Sequence, residues 1–93
     1  MINGSITEFI DKLYYGQELV FAYKKRKYFI QGWWKDNVAT MVLDDVSEPS
    51  EKDYIWEFHS DKMSDCAEAF LSAPIWDGEN FIQIQEMVTW SDW

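Results

Sequence analysis

The period of the apolar pattern changes at Gly16, and that change decides most of what this chain can fold into. Before it, Ile6, Phe9, Ile10 and Leu13 recur at i, i+3, i+4 and i+7, which is one face of an amphipathic helix. Ser5 followed by Glu8 has capping-box spacing, so the helix is predicted to begin after Ser5 and run from about Ile6 to Tyr15. Gly16 can take the left-handed conformation that closes a helix. After it the period is two. Leu19, Phe21 and Tyr23 alternate with Glu18, Val20 and Ala22, and Tyr28, Ile30 and Gly32 alternate with Phe29, Gln31 and Trp33. Asp36 and Asn37 tolerate positive φ and suit a two-residue hairpin turn, so Val38 to Leu43 is read as a third strand. Connections this short cannot carry a crossover, so the strands form an antiparallel meander.

Asp44 to Asp53 is read as a polar loop with Pro49 and five carboxylates: Asp44, Asp45, Glu48, Glu51 and Asp53. Tyr54, Trp56 and Phe58 then alternate with Ile55, Glu57 and His59, a fourth strand. Ser60 or Asp61 can cap a second helix whose apolar face is Met63, Cys66, Ala67, Phe70 and Leu71. Pro74 stops it near Ala73. Asp77-Gly78 is a turn. Residues 80 to 90 fit two patterns: Phe81, Ile84 and Val88 suit a helix, whereas Ile82 with Ile84 and Val88 with Trp90 suit strands. The reading adopted is a short helical turn near Asn80 to Glu86 and a last strand near Val88 to Trp90.

These elements predict a single α+β domain over residues 1–93. It is a two-layer fold, an antiparallel four- to five-stranded sheet with the helices on one face, in the order α-β-β-β-β-α and then a mixed tail. Ninety-three residues, 47% of them apolar, suit one core. The opening order, one helix, three strands and a helix, resembles that of double-stranded-RNA-binding domains. Those domains carry basic residues at the start of the last helix. Here that stretch is Ser60-Asp61-Lys62-Met63-Ser64-Asp65, which is net acidic, so the resemblance is one of order alone and the family is not assigned.

Charge is split along the chain. Residues 1 to 43 balance at +2 and include the block Lys24-Lys25-Arg26-Lys27, whereas residues 44 to 93 balance at −11. A net −9 opposes phosphate-backbone binding, so no nucleic-acid partner is expected. A basic protein partner fits the balance better. The Lys24–Lys27 block reads either as a grip on acidic groups or as a solvated hairpin tip that protects a sheet edge. No apolar run is long enough for a bilayer, and Met1-Ile2-Asn3-Gly4-Ser5 has neither a signal-peptide nor a myristoylation pattern. A single cysteine, Cys66, makes the cytoplasm the expected compartment.

Chemistry is thinly represented. His59, Ser64 and Cys66 with Asp61 and Asp65 hold the letters of a nucleophile and its base, but His59 falls at a strand end and Cys66 on the apolar face of the next helix. The Asp44–Asp53 carboxylates lack the ligand alternation, central Gly and terminal Glu of a calcium loop. There is no His/Cys set for zinc and no glycine-rich phosphate loop. The expectation is therefore no catalytic residue, no metal and no cofactor.

Trp33 and Trp34 are adjacent in a strand and must point to opposite faces. Six Trp in so small a domain are hard to bury completely. The sequence-level expectation is a small acidic protein-binding module that docks a basic partner, similar in size and composition to immunity proteins and antitoxins. Its candidate partner-binding residues are Trp33, Trp34, Asp44, Asp45, Glu48, Glu51 and Asp53. The alternative is a small-ligand or carbohydrate-binding domain with Trp33 or Trp34 as the stacking platform. Assembly into a homo-oligomer is compatible with either.

Overall fold

The computed structural model describes residues 1–47 and 54–91. Helix α1 spans Ile6–Tyr14, and the Ser5 hydroxyl oxygen accepts the Glu8 N–H at 3.4 Å. It ends as the sequence implies. Gly16 has φ 70°, its N–H donates to the Leu13 carbonyl, and the Gln17 N–H reaches back to that of Lys12. This is the doubly bonded helix end that a left-handed C′ residue permits.

Strands β1 (Leu19–Tyr23), β2 (Arg26–Lys35), β3 (Val38–Asp45), β4 (Trp56–Ser60) and β5 (Thr89–Ser91) form one sheet in the order β4-β3-β2-β1-β5. Every pairing is antiparallel. The β2–β3 turn is Asp36-Asn37, both at positive φ, as expected. The β1–β2 turn is Lys24-Lys25, also both at positive φ (48° and 66°). Two lysines accept this conformation because a two-residue hairpin turn with the correct twist requires it.

Among the described residues the helices are α1, α2 (Met63–Ser72) and α3 (Phe81–Ile84), with a 3₁₀ turn at Gln85–Met87 before β5. The ambiguous tail is thus helical first and extended last. The expected caps of α2 need correction. Lys62 occupies the N-cap position without a side-chain bond, and the Ser60 hydroxyl instead donates to Asp65 Oδ2 at 2.7 Å.

Strand alternation places Leu19, Phe21, Tyr23, Tyr28, Ile30, Ala39, Met41 and Leu43 against the helices. They meet Phe9 and Leu13 of α1, Met63, Cys66, Ala67 and Phe70 of α2, and Phe81 and Ile84 of α3. Aromatic rings fill the centre: Phe9 stacks on Phe81 at 5.0 Å, and Phe21 sits edge-on to both. Among the described residues no helix is long and apolar enough to cross a membrane.

Candidate interaction surface

The register of the sheet sorts the candidate residues. Because the helices cover the face bearing Ile30 and Met41, the neighbouring residues in each strand point the other way. This second face carries Val20 from β1, Lys27, Phe29, Gln31, Trp33 and Lys35 from β2, Val38, Thr40, Val42 and Asp44 from β3, and Glu57 and His59 from β4. Cross-strand partners are fixed: between β2 and β3, Phe29 lies opposite Asp44, Gln31 opposite Val42 and Trp33 opposite Thr40, and between β3 and β4, Val42 lies opposite Glu57 and Thr40 opposite His59. Val20, Thr40 and Val42 are buried on this face, Phe29 is half-buried, and Trp33 stays 37% exposed.

The two indoles part company, as adjacency in a strand demands. Trp33 joins Asp44 on the face away from the helices. Trp34, 55% exposed, lies in the row with Ala39 and Ser60 on the helix side, beyond the helix cover. The two aspartates divide in the same way. Asp44 shares the face of Trp33. Asp45 is taken up internally: its Oδ2 accepts from Arg26 Nε at 2.7 Å and its Oδ1 from the Ser47 N–H at 3.0 Å. Burial pushes the Asp45 carboxyl up, but these bonds and the Arg26 charge outweigh it and hold the group below the ordinary range. Glu48, Glu51 and Asp53 lie outside the described residues.

A hydrogen-bonded line that sequence reading missed crosses this face. Thr40 Oγ1 is 2.9 Å from His59 Nδ1, and His59 Nε2 is 3.1 Å from Glu57 Oε2. With a neutral ring, the Thr40 hydroxyl donates to Nδ1 and Nε2–H donates to the carboxylate. The line has the letters of a relay, but the Thr40 hydroxyl is packed into the sheet floor at 7% exposure. What it does is bring the His59 and Glu57 side chains together over β4. The signal was the spacing of Glu57 and His59, two apart in one strand and hence on one face. Their meeting with Thr40 depends on the β3–β4 register, which no local pattern specifies.

The other candidate chemistry is taken apart by the fold. His59 is on one side of the sheet. Cys66 is buried on the other, its Sγ facing the carbonyls of Ala39 at 3.6 Å and Phe58 at 3.8 Å. Burial, then the Asp65 charge, pushes the thiol above its ordinary value. Among the described residues no group of three or more His, Cys, Asp or Glu is placed to hold a metal ion.

Two clefts lie away from Trp33 and Trp34. One, of about 390 Å³, is lined by Lys12, Gln17, Glu18 and Trp90, and another, of about 270 Å³, by Tyr23, Lys24, Tyr28 and Trp76. Trp76 Nε1 is buried without a hydrogen-bond partner, and the indole stands edge-on to the rings of Tyr28 and Phe70 at 87° and 88°. No protein-family model, curated protein or solved structure matches the chain.

Proposed function

We propose that this chain is a small protein-binding module that docks a basic partner, immunity- or antitoxin-like in character, without chemistry of its own. The observation that carries the reading is the grouping of exposed Trp33 with Asp44 and Glu57 on the sheet face opposite all the helices. An indole on a sheet face supplies a rigid contact area, and carboxylates elsewhere on the same face select the sign of the partner's charge. Lys27 and Lys35 mark the two ends of β2 on that face, so the attraction for cations is concentrated toward β3 and β4. The acidic sequence between those strands, with Glu48, Glu51 and Asp53, adds to it. Lone, buried Cys66 supports a reducing, cytoplasmic setting.

The test is affinity capture at low and high salt, followed by kinetics of the captured protein with variants. Trp33→Ala is expected to speed dissociation, and Trp34→Ala, on the other face, to leave it unchanged. Binding that ignores salt and both substitutions would end this reading. The carbohydrate alternative draws support from Gln31 and His59, whose polar side chains share the face of Trp33. Saturable shifts of the Trp33 indole N–H with neutral oligosaccharides would favour it.

A further inference from the structure

The two edges of the sheet are treated differently. At the β5 edge the strand is three residues long, and the N-terminal segment lies against it. Ile2 bridges to Thr89, its N–H donates to the Val88 carbonyl at 2.8 Å, and its own carbonyl accepts from Trp90 at 2.9 Å. That edge is short and partly paired.

The β4 edge is neither. Trp56–Ser60 pairs with β3 on one side, and among the described residues no strand lies on the other. In an antiparallel strand every second residue turns its N–H and C=O away from its partner, so β4 presents a row of such groups outward. Natural sheets blunt a bare edge with Lys, Pro or a bulge. Residues 54 to 60, Tyr-Ile-Trp-Glu-Phe-His-Ser, contain no Lys and no Pro. Apolar side chains gather there instead: Tyr54, Ile55 and Phe58 are exposed, and Phe58 lies parallel to Trp56 at 6.2 Å.

We infer that β4 is a strand-addition site for an extended, lysine- or arginine-bearing segment of the partner. The inference rests on the basic-partner reading above and supplies its docking mode. Charge complementarity picks the occupant. Glu57 projects from β4 toward the Trp33 face, within hydrogen-bond distance of His59, and the strand lies in the half of the chain that balances at −11. Pairing with β4 of a second copy would juxtapose two chains of net charge −9, each bringing its own Glu57 to the seam. An added basic strand instead continues the sheet. Alternate side chains would lie over Glu57 and beside Trp33's face, and the others against Phe58 and Trp56.

The experiment uses the full chain, nitrogen-15 labelled, and four synthetic octapeptides: alternating lysine and valine, two versions of it N-methylated at alternate residues in one register or the other, and its glutamate–valine counterpart. The lysine peptide is expected to produce saturable amide shifts over residues 56 to 60 and to slow hydrogen exchange there. N-methylation should weaken binding by about tenfold or more, because it removes the donors a strand needs. The glutamate peptide should not bind.

Shifts confined to Trp33 and Asp44, indifferent to N-methylation, would overturn strand addition and leave the docking reading intact. Equal binding of the glutamate peptide would instead remove the charge selection on which both rest. No binding at roughly millimolar peptide would overturn the inference. So would concentration-dependent protection of β4 without peptide, together with a dimer mass by sedimentation, since the edge would then belong to a second copy.

Discussion

The backbone N–H of Gly32 donates to the carbonyl of Gly16 at 3.0 Å, so the exit of α1 and the middle of β2 touch main chain to main chain. A side chain on Gly32 has nowhere to go. Its Cβ would fall 3.1 Å from Gly16 Cα and 2.8 Å from Met63 Sδ. The thioether can swing aside, but the glycine backbone cannot without disturbing the helix end. Gly32→Ala should therefore cost about 1–3 kcal/mol in urea titration. Adding Met63→Ala to it should recover less than removing the sulfur clash alone would suggest, because the backbone contact persists. An unchanged midpoint for Gly32→Ala would mean that the two segments are not in contact.

Phe70 is the second point of leverage. It is fully buried, with its ring 5.3 Å from Phe81, 5.6 Å from Trp56 and 6.1 Å from Trp76. It ties α2 to β4 and to the tail at once. Phe70→Ala should cost about 3 to 5 kcal/mol, the lost transfer energy plus the cavity. A loss under about 1 kcal/mol in denaturant would show that α2 does not pack as described.

What could be read from the residues follows from how local each signal is. The α1 boundaries, the Asp36-Asn37 turn and the burial of Phe9, Leu13 and Phe70 rest on spacing within a few residues, and each appears where the pattern places it. The opposed faces of Trp33 and Trp34 follow from strand parity alone. Other features are set by tertiary contacts. The α2 cap differs because the Ser60 hydroxyl is drawn to the Asp65 side chain of the first turn rather than to a backbone N–H of the helix. Asp45 looks like its neighbour in sequence, yet Arg26, nineteen positions earlier, claims it. The Thr40–His59–Glu57 line needs a register across a loop whose composition carries no register information.

The Arg26–Asp45 pair makes stability depend on acid. The folded carboxyl sits below its ordinary value, so its contribution is complete above the unfolded range, about pH 4, and is lost as pH falls toward the folded value. The Arg26 side chain is 47% exposed, so solvent screening keeps the contribution small. Asp45→Asn should lower stability near neutrality by about 0.5–1 kcal/mol, and the gap to the parent should narrow as pH approaches about 2. A gap that stays constant across that range would assign the loss to packing instead.

Cys66 should be chemically silent in the folded chain. Its sulfur is fully buried on the helix side, and burial raises its pKa, so little thiolate forms and none is presented. An aromatic disulfide reagent at mildly alkaline pH should label the denatured chain at once and the native chain only as fast as it opens. Immediate labelling under native conditions would show that α2 does not seal the thiol against Ala39 and Phe58.

Asp44 and Asp45 are adjacent yet should answer different assays. Asp44 faces the Trp33 side, whereas Asp45 is spent on Arg26 and Ser47. Attraction between opposite charges is screened over about 8 to 10 Å in ordinary salt, so carboxylates on the proposed docking face would act on the encounter. Asp44→Asn with Glu57→Gln should slow association with a basic partner and flatten its salt dependence, while dissociation changes little. Asp45→Asn should leave the salt slope nearer that of the parent, because the carboxylate it removes lies on the helix side of the sheet, away from Trp33. If stopped-flow measurements give the two aspartates the same slope change, the face assignment is wrong. The acidity would then act through the net charge of the chain rather than through a surface.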